Sequence, residues 1–482
     1  MSLEWERPQD KSTAPDNQKK EGGKHKGIID TFILKKVKRP KLSYYKNSSR
    51  IKIKINKKRR LLKFAIRFLV PLTLACFAVL FLWQSTPARI YWLISSLKNE
   101  NILIGFQNSA ELRPTGGFWG SFALLEVRKN IGDSNLLFET NPYKRDNPLL
   151  NELKVELPKP MKETWEDRPQ SFVNANWDID FPEAAKTLEW YFGQGWDKPV
   201  SGTVAISSLA MIDLLKLIGP IEAPDGTEIS ADNFTQIMSQ KIDTDYWQNP
   251  ENIKINEPKT IIKEIAPQVI EKTKKLPLTT LYSYLKDQMR YGRILAYFND
   301  TPRQNQIQKL GISGKLSPYK VDYLSINNAN LNGGKSSLNI IQSINYHVFV
   351  QDEKAVAQVQ ITRFQKPLWP NIVNRNYTRV VVPLGSRLIS AVQDNSNILP
   401  QVETNDEFGK TSFGFWFSVG PNESKTTILT YELPFDQKLL KNYNLVLQKQ
   451  PGTNPDHLEI TVNQDTIFYG ENRLNELILT KT

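Results

Sequence analysis

The chain has 482 residues, with 63 Lys plus Arg, 50 Asp plus Glu, three histidines and one cysteine. One cysteine excludes a disulfide framework and a Cys-rich zinc site, and three histidines far apart (His25, His347, His457) weigh against zinc hydrolysis and His-based triads. The net charge of +13 is confined to one end: residues 1–60 carry 19 basic and 6 acidic side chains, and the rest of the chain has 44 of each. At roughly 150 residues per domain, the length implies two or three domains.

Residues 1–60 form a basic tail too polar to bury apolar area against its chain entropy, and the reading is a disordered cytoplasmic segment. Next comes the apolar stretch 61–83, in which 68–83 contains only Thr73 as a polar residue. As a helix 61–83 spans about 35 Å, against a hydrocarbon core of roughly 30 Å. Lys57-Lys58-Arg59-Arg60 before it and Trp83, Tyr91 and Trp92 at its far end have the character of interface anchors. The expectation is an uncleaved transmembrane signal anchor, with the N-terminus inside and everything after about residue 85 extracytoplasmic. The tail is then expected to meet anionic lipid, and no nucleic acid partner is expected.

Beyond the span the pattern alternates. Strands are expected at 101–106 and 118–127, joined by the Gly-rich turn Arg113-Pro114-Thr115-Gly116-Gly117. A helix starts at Asp180-Phe181-Pro182 and runs to about Phe192. A buried strand covers 200–206, and Ser207 or Ser208 caps a helix that Gly219-Pro220 stops. Helices at 231–241 and 258–274, a strand at 293–298, a helix opened by Thr301-Pro302 and a last strand at 321–327 complete an α/β domain over 99–330, with helices covering a mixed or mostly parallel sheet. Residues 129–170 read as an irregular insertion. After Gly333-Gly334 helical spacing disappears, and eight short strand-like runs predict an all-β sandwich over 335–475.

Five blocks carry a family resemblance: Asn108-Ser-Ala-Glu-Leu-Arg-Pro-Thr-Gly-Gly-Phe-Trp-Gly120, Asn176-Trp177 with Asp180-Phe181-Pro182, residues 205–220 ending Leu-Ile-Gly-Pro, Tyr297-Phe-Asn-Asp300, and Asn328-Ala-Asn-Leu-Asn-Gly-Gly-Lys-Ser336. Through them, and through 377–385 and 430–434 of the sandwich, the chain resembles the bacterial membrane-anchored, extracytoplasmic family called domain of unknown function 4012. The strand, helix and Gly-Pro turn of 200–220 also resemble, more distantly, the LytR-CpsA-Psr family. Those proteins transfer lipid-linked glycopolymers to the cell wall with arginines around a pyrophosphate and acidic residues on a divalent ion. That likeness implies a site near the Arg113 loop and the 176–180 segment.

Physical readings of these residues stay double. A Gly116-Gly117 nest with the Arg113 guanidinium is a phosphate or pyrophosphate site, or the glycines serve a tight turn and Arg113 pairs with Glu111 or Glu126. Arg168 and Lys335 face an anionic ligand or are solvated charges. Asp178 and Asp180 hold Mg²⁺, or Asp180 caps the helix that follows. The first family typically has an Arg-Asp pair just before its Asn-Trp, where this chain has Val173-Asn174. Trp165, Trp177, Trp196 and Trp247 are candidate sugar-stacking residues. Two functions result: a non-enzymatic envelope protein binding glycan, lipid-linked precursor or a protein partner, or a Mg-dependent phosphotransferase acting on polyprenyl-pyrophosphate-linked glycan.

Overall fold

A computed structural model describes residues 85–482 except Asp167, Asp197 and Thr482. The tail 1–60 and the stretch 61–83 lie outside the described residues. Among the described residues no helix is long and apolar enough to cross a membrane.

Helix α1 (Thr86–Ser95) leads into a five-stranded sheet. Strands β1 (Glu100–Gln107), β2 (Phe122–Val127) and β3 (Ser134–Glu139) form an antiparallel meander. The 129–170 stretch is therefore not irregular: it supplies β3, α2 (Tyr143–Leu153) and α3 (Lys159–Trp165). Then come α4 (Phe181–Trp196), β4 (Gly202–Ser207), α5 (Ser208–Ile218), the small hairpin β5 (Ile221–Glu222) and β6 (Glu228–Ile229), and four helices, α6 (Phe234–Asp243), α7 (Pro250–Ile255), α8 (Thr260–Lys274) and α9 (Leu278–Arg290). Strand β7 (Ile294–Phe298) and α10 (Thr301–Lys309) end the unit. The order is β3-β2-β1-β4-β7, and only β1 with β4 is parallel, so the sheet is mixed and mainly antiparallel.

Both faces are covered. On one, Phe181, Ala185, Leu188 and Phe192 of α4, at helical spacing, pack with Leu103, Phe122 and Phe172. On the other, Ile102, Ala296 and Phe298 meet Leu97, Met289 and Ile307. The local signals work as read. The Ser207 hydroxyl accepts from Leu209 N at 3.1 Å to cap α5, and Gly219, at φ +76°, ends it.

The expected last strand of the α/β domain belongs elsewhere. Strand β8 (Asp322–Asn330) opens the β-rich part, which continues with β9 (Ile340–Gln351), β10 (Lys354–Gln365), β11 (Asn376–Pro383), β12 (Arg387–Gln393), β13 (Ser396–Asn397), β14 (Glu403–Glu407), β15 (Lys410–Trp416), β16 (Ser424–Glu432), β17 (Asn444–Gln448), β18 (Asp456–Val462), β19 (Asp465–Asn472) and β20 (Glu476–Thr480). One sheet has the order β13-β12-β16-β10-β9-β18-β19 and the other β14-β15-β11-β8-β17-β20. Ile344, Tyr346 and Val348, alternate residues of β9, meet Val380, Val382 and Phe413 of the second sheet in one core. All nine residues of β8 are buried, because one face joins this core while the other faces the α/β unit. Burial on both sides erases the two-residue period by which a sandwich strand is read.

Candidate ligand-binding site

The Arg113 block and the Asn328 block, both prominent in the sequence, form the seam between the two parts. Arg113 is 1% exposed. Its Nη1 donates to Asn330 O at 2.5 Å and Leu112 O at 3.2 Å, and its Nη2 to Glu111 Oε1 at 3.2 Å and Asn174 Oδ1 at 3.3 Å. Phe118 and Trp165 lie against the guanidinium at 5.2 and 5.7 Å from their ring centroids. Asn327 donates to Pro114 O at 3.0 Å, and Gln450 to the carbonyls of Arg113 and Asn328 at 3.1 and 2.8 Å. Gly116 has φ +119°, and a Cβ there would come within 2.8 Å of Gln107 Oε1; one on Gly117 would meet Asn108 backbone at 2.6 Å. The glycines permit a close backbone approach and Arg113 ties the seam, so the anion site expected at Arg113, Gly116 and Gly117 is replaced by a structural role.

Asp180 is buried and accepts from Leu316 N at 3.0 Å, and burial raises its pKa. Burial also raises that of Asp178, with Arg379 opposing. Arg379 itself binds Trp177 O at 2.9 Å and Glu407 at 3.3 Å. Among the described residues no group of three His, Cys, Asp or Glu is placed to hold a metal, and Asp180 spends one carboxylate oxygen on Leu316 N. Arg168 is exposed. Arg113, Arg168, Asp178 and Asp180 line none of the described cavities. Trp165 lies over Arg113, Trp177 under Arg379 at 4.8 Å and Trp196 stacks in the core on Phe192 at 5.2 Å.

Lys335 and Trp247 do reach a cavity. It has a volume of about 460 Å³ and is enclosed by the ends of the β1–β2 connection (Phe106 to Ser121), the start of α2, residues 242–259 and the 333–335 turn. Its most unusual member is Lys259, the residue just before α8. The backbone fixes it, through its N–H to Thr140 O at 3.1 Å and its carbonyl from Ile262 N at 3.0 Å. The side chain is 8% exposed, lies 5.5 Å from the Tyr143 ring centroid, and among the described residues has no hydrogen-bond or ion-pair partner. Burial pushes its pKa down to about 8, with Asp243, Glu111 and Glu139 opposing and Lys335 reinforcing. Gly120 makes the room: a Cβ there would stand 2.9 Å from Lys259 Nζ.

Around this ammonium stand Asn108, Ser121, Asn147 and Asn256, with the rings of Phe106, Phe118 and Trp247. The Tyr143 ring is 38% exposed while its hydroxyl is desolvated and held well above the usual phenol range, so it stays a donor. Lys335 is ion-paired with Asp243. Such a concave mixture of aromatic and fixed polar groups is the chemistry of a small-molecule site. Sequence reading missed Lys259, Tyr143 and Asp243, whose segments are far apart in the chain. The Gly of Phe118-Trp-Gly120 was the one signal that something bulky must approach.

No curated protein matches the sequence. Solved structures overlap it weakly. A protein described as nutrient-binding from Legionella pneumophila subsp. pneumophila str. Philadelphia 1 has 8% identity and a TM-score of 0.20, over 29% of this chain and 54% of its own. Legionella pneumophila aminopeptidase A has 11% identity and a TM-score of 0.17, over 26% and 16%. The M1 zinc metallopeptidase of Deinococcus radiodurans has 14% and 0.16, over 30% and 39%. The chain thus spans about half or less of those proteins, and overlaps of this quality carry no argument. Residues 98–242, from β1 to α6, match the model of the family described as protein of unknown function DUF4012, and in this segment the chain is similar to that family.

Proposed function

We propose that the protein is a binding module of the bacterial cell envelope, anchored by 61–83, with the 460 Å³ cavity as its ligand site. The observation that carries this reading is Lys259, a buried cation that among the described residues meets the Tyr143 ring but has no hydrogen-bond or ion-pair partner. Leaving a charge buried and unpaired is costly, and such groups concentrate where a ligand completes them. Membrane anchorage and extracytoplasmic location rest on the sequence, through the apolar stretch and the basic residues ahead of it. Glycan or lipid-linked glycan is the ligand class in keeping with that location. The transferase reading is weaker, since its arginine is locked in the seam and its acidic residues do not meet it.

The test uses the full chain in detergent and a solubilised envelope glycan fraction. Retention of glycan by the wild type, lost in Lys259→Met, supports the reading. Equal retention by both proteins, or none by either, contradicts it.

A further inference from the structure

Five charged side chains line the cavity: Glu111, Lys144, Asp243, Lys259 and Lys335. Four are already matched within the protein. Glu111 pairs with Arg113 at 3.2 Å, Lys144 with Glu257 at 3.3 Å, and Asp243 with Lys335. Among the described residues Lys259 alone of the five has no ion-pair partner, and Asp243, Glu111 and Glu139 act on it only from beyond contact distance, so its ammonium is open to a negative group from a ligand.

The neutral lining says what should carry that charge. Asn141 is occupied, donating to the Asn256 carbonyl and side chain at 2.8 and 2.9 Å, which fixes one wall. Asn108, Asn147 and Ser121 present short polar groups suited to hydroxyls, and Trp247, 38% exposed, offers a ring to a sugar's C–H face. The volume lies in the range of about 300–1,000 Å³ usual for small-molecule sites. A phosphate monoester brings nearly two charges at neutral pH and would leave one unmatched.

We infer that the ligand is a saccharide carrying a single carboxylate, a uronic acid residue, whose carboxylate pairs with Lys259 while its ring lies on Trp247. This rests on the cavity being the ligand site, and it adds the ligand's charge and chemistry. Lys259 must be protonated to pair, so affinity falls as pH rises past the titration of the bound lysine; Glu111, Asp243, Glu139 and Lys335 are the charged groups acting on it, and the Tyr143 ring lies against it.

The experiment is calorimetric titration of the full chain at pH 7.0 with glucuronate, glucose and glucose 6-phosphate, beside Lys259→Met and Trp247→Ala. The expected result is glucuronate binding that weakens about tenfold or more in Lys259→Met and for glucose. Trp247→Ala weakens whatever binding remains without touching the charge. Glucose binding as well as glucuronate, glucose 6-phosphate binding better, or Lys259→Met leaving affinity unchanged overturns the inference. If none of the three sugars binds while the envelope fraction still binds through Lys259, the uronate inference falls and the binding-module reading stands.

Discussion

Lys259 of the α/β unit and Lys449 of the sandwich are both buried, and the contrast between these two separates structure from function. Lys449, 3% exposed beside β17, donates to Thr453 O at 3.0 Å, to the Thr453 hydroxyl and to Gln450 O at 3.4 Å. The buried Asp456 carboxylate counters the burial that pushes its pKa down to about 8. Lys259 is pushed to about 8 as well, yet nothing among the described residues bonds its ammonium. Desolvation acts alike on both, and the difference lies in how each group is compensated. Asp322 of the sandwich, raised to about 6, likewise holds the Tyr346 and Tyr443 hydroxyls at 2.8 and 2.5 Å, whereas the buried Lys410 of β15 lies over the rings of Tyr319 and Tyr323 and borders none of the described cavities. The cavity leaves its charge for a ligand.

The largest effect is expected at the seam. Arg113→Ala removes four hydrogen bonds and strands Glu111, and should cost about 3–5 kcal/mol in urea unfolding. A loss under about 1 kcal/mol would mean the two parts hold together without it. Next come the lysines, with opposite signs. Lys449→Met should destabilise by roughly 2–3 kcal/mol, since it orphans Thr453 O and removes the largest charge countering the burial of Asp456. Lys259→Met should stabilise by about 1–3 kcal/mol, because it removes an uncompensated charge and retains an apolar stem. If both variants lose stability, the distinction between them fails.

A smaller effect is read against pH. Between about 8 and the ordinary lysine value of 10.5, the unfolded chain holds protons that folded Lys259 and Lys449 release. Stability contributed by these two groups therefore rises with pH across that window, and below 8 the penalty is present in full. Lys259→Met should remove about half of this rise, measured by urea midpoints at pH 7.5 and 10. Smallest of all, Lys335→Ala breaks a pair whose members are 21% and 51% exposed and should change stability by about 0.5 kcal/mol or less.

Local chemistry made much of the α/β unit legible. Ser207, Gly219, Pro182 and the apolar spacing of α4 each act through neighbours in sequence, and each element stands where they place it. Strand β8 was assigned to the wrong layer because its two faces are buried against different partners, a fact of topology that no local pattern encodes. The segment 129–170 read as irregular because Pro148 and Pro158 break its periodicity while β3 and α2 still form. The sequence motifs pointed to Arg113 and the 176–180 segment, which turned out to join the two parts. Lys259, standing before an ordinary amphipathic helix, looks like any surface lysine until Gly120 and Tyr143 are folded around it.

The most direct test of an uncompensated cation in the cavity is the titration of Lys259 itself, by NMR of side-chain-labelled lysine with its signal assigned from the Lys259→Met variant. The structure predicts a midpoint near 8 that moves upward when glucuronate is added. A midpoint at the ordinary value of about 10.5, indifferent to ligand, would contradict the account.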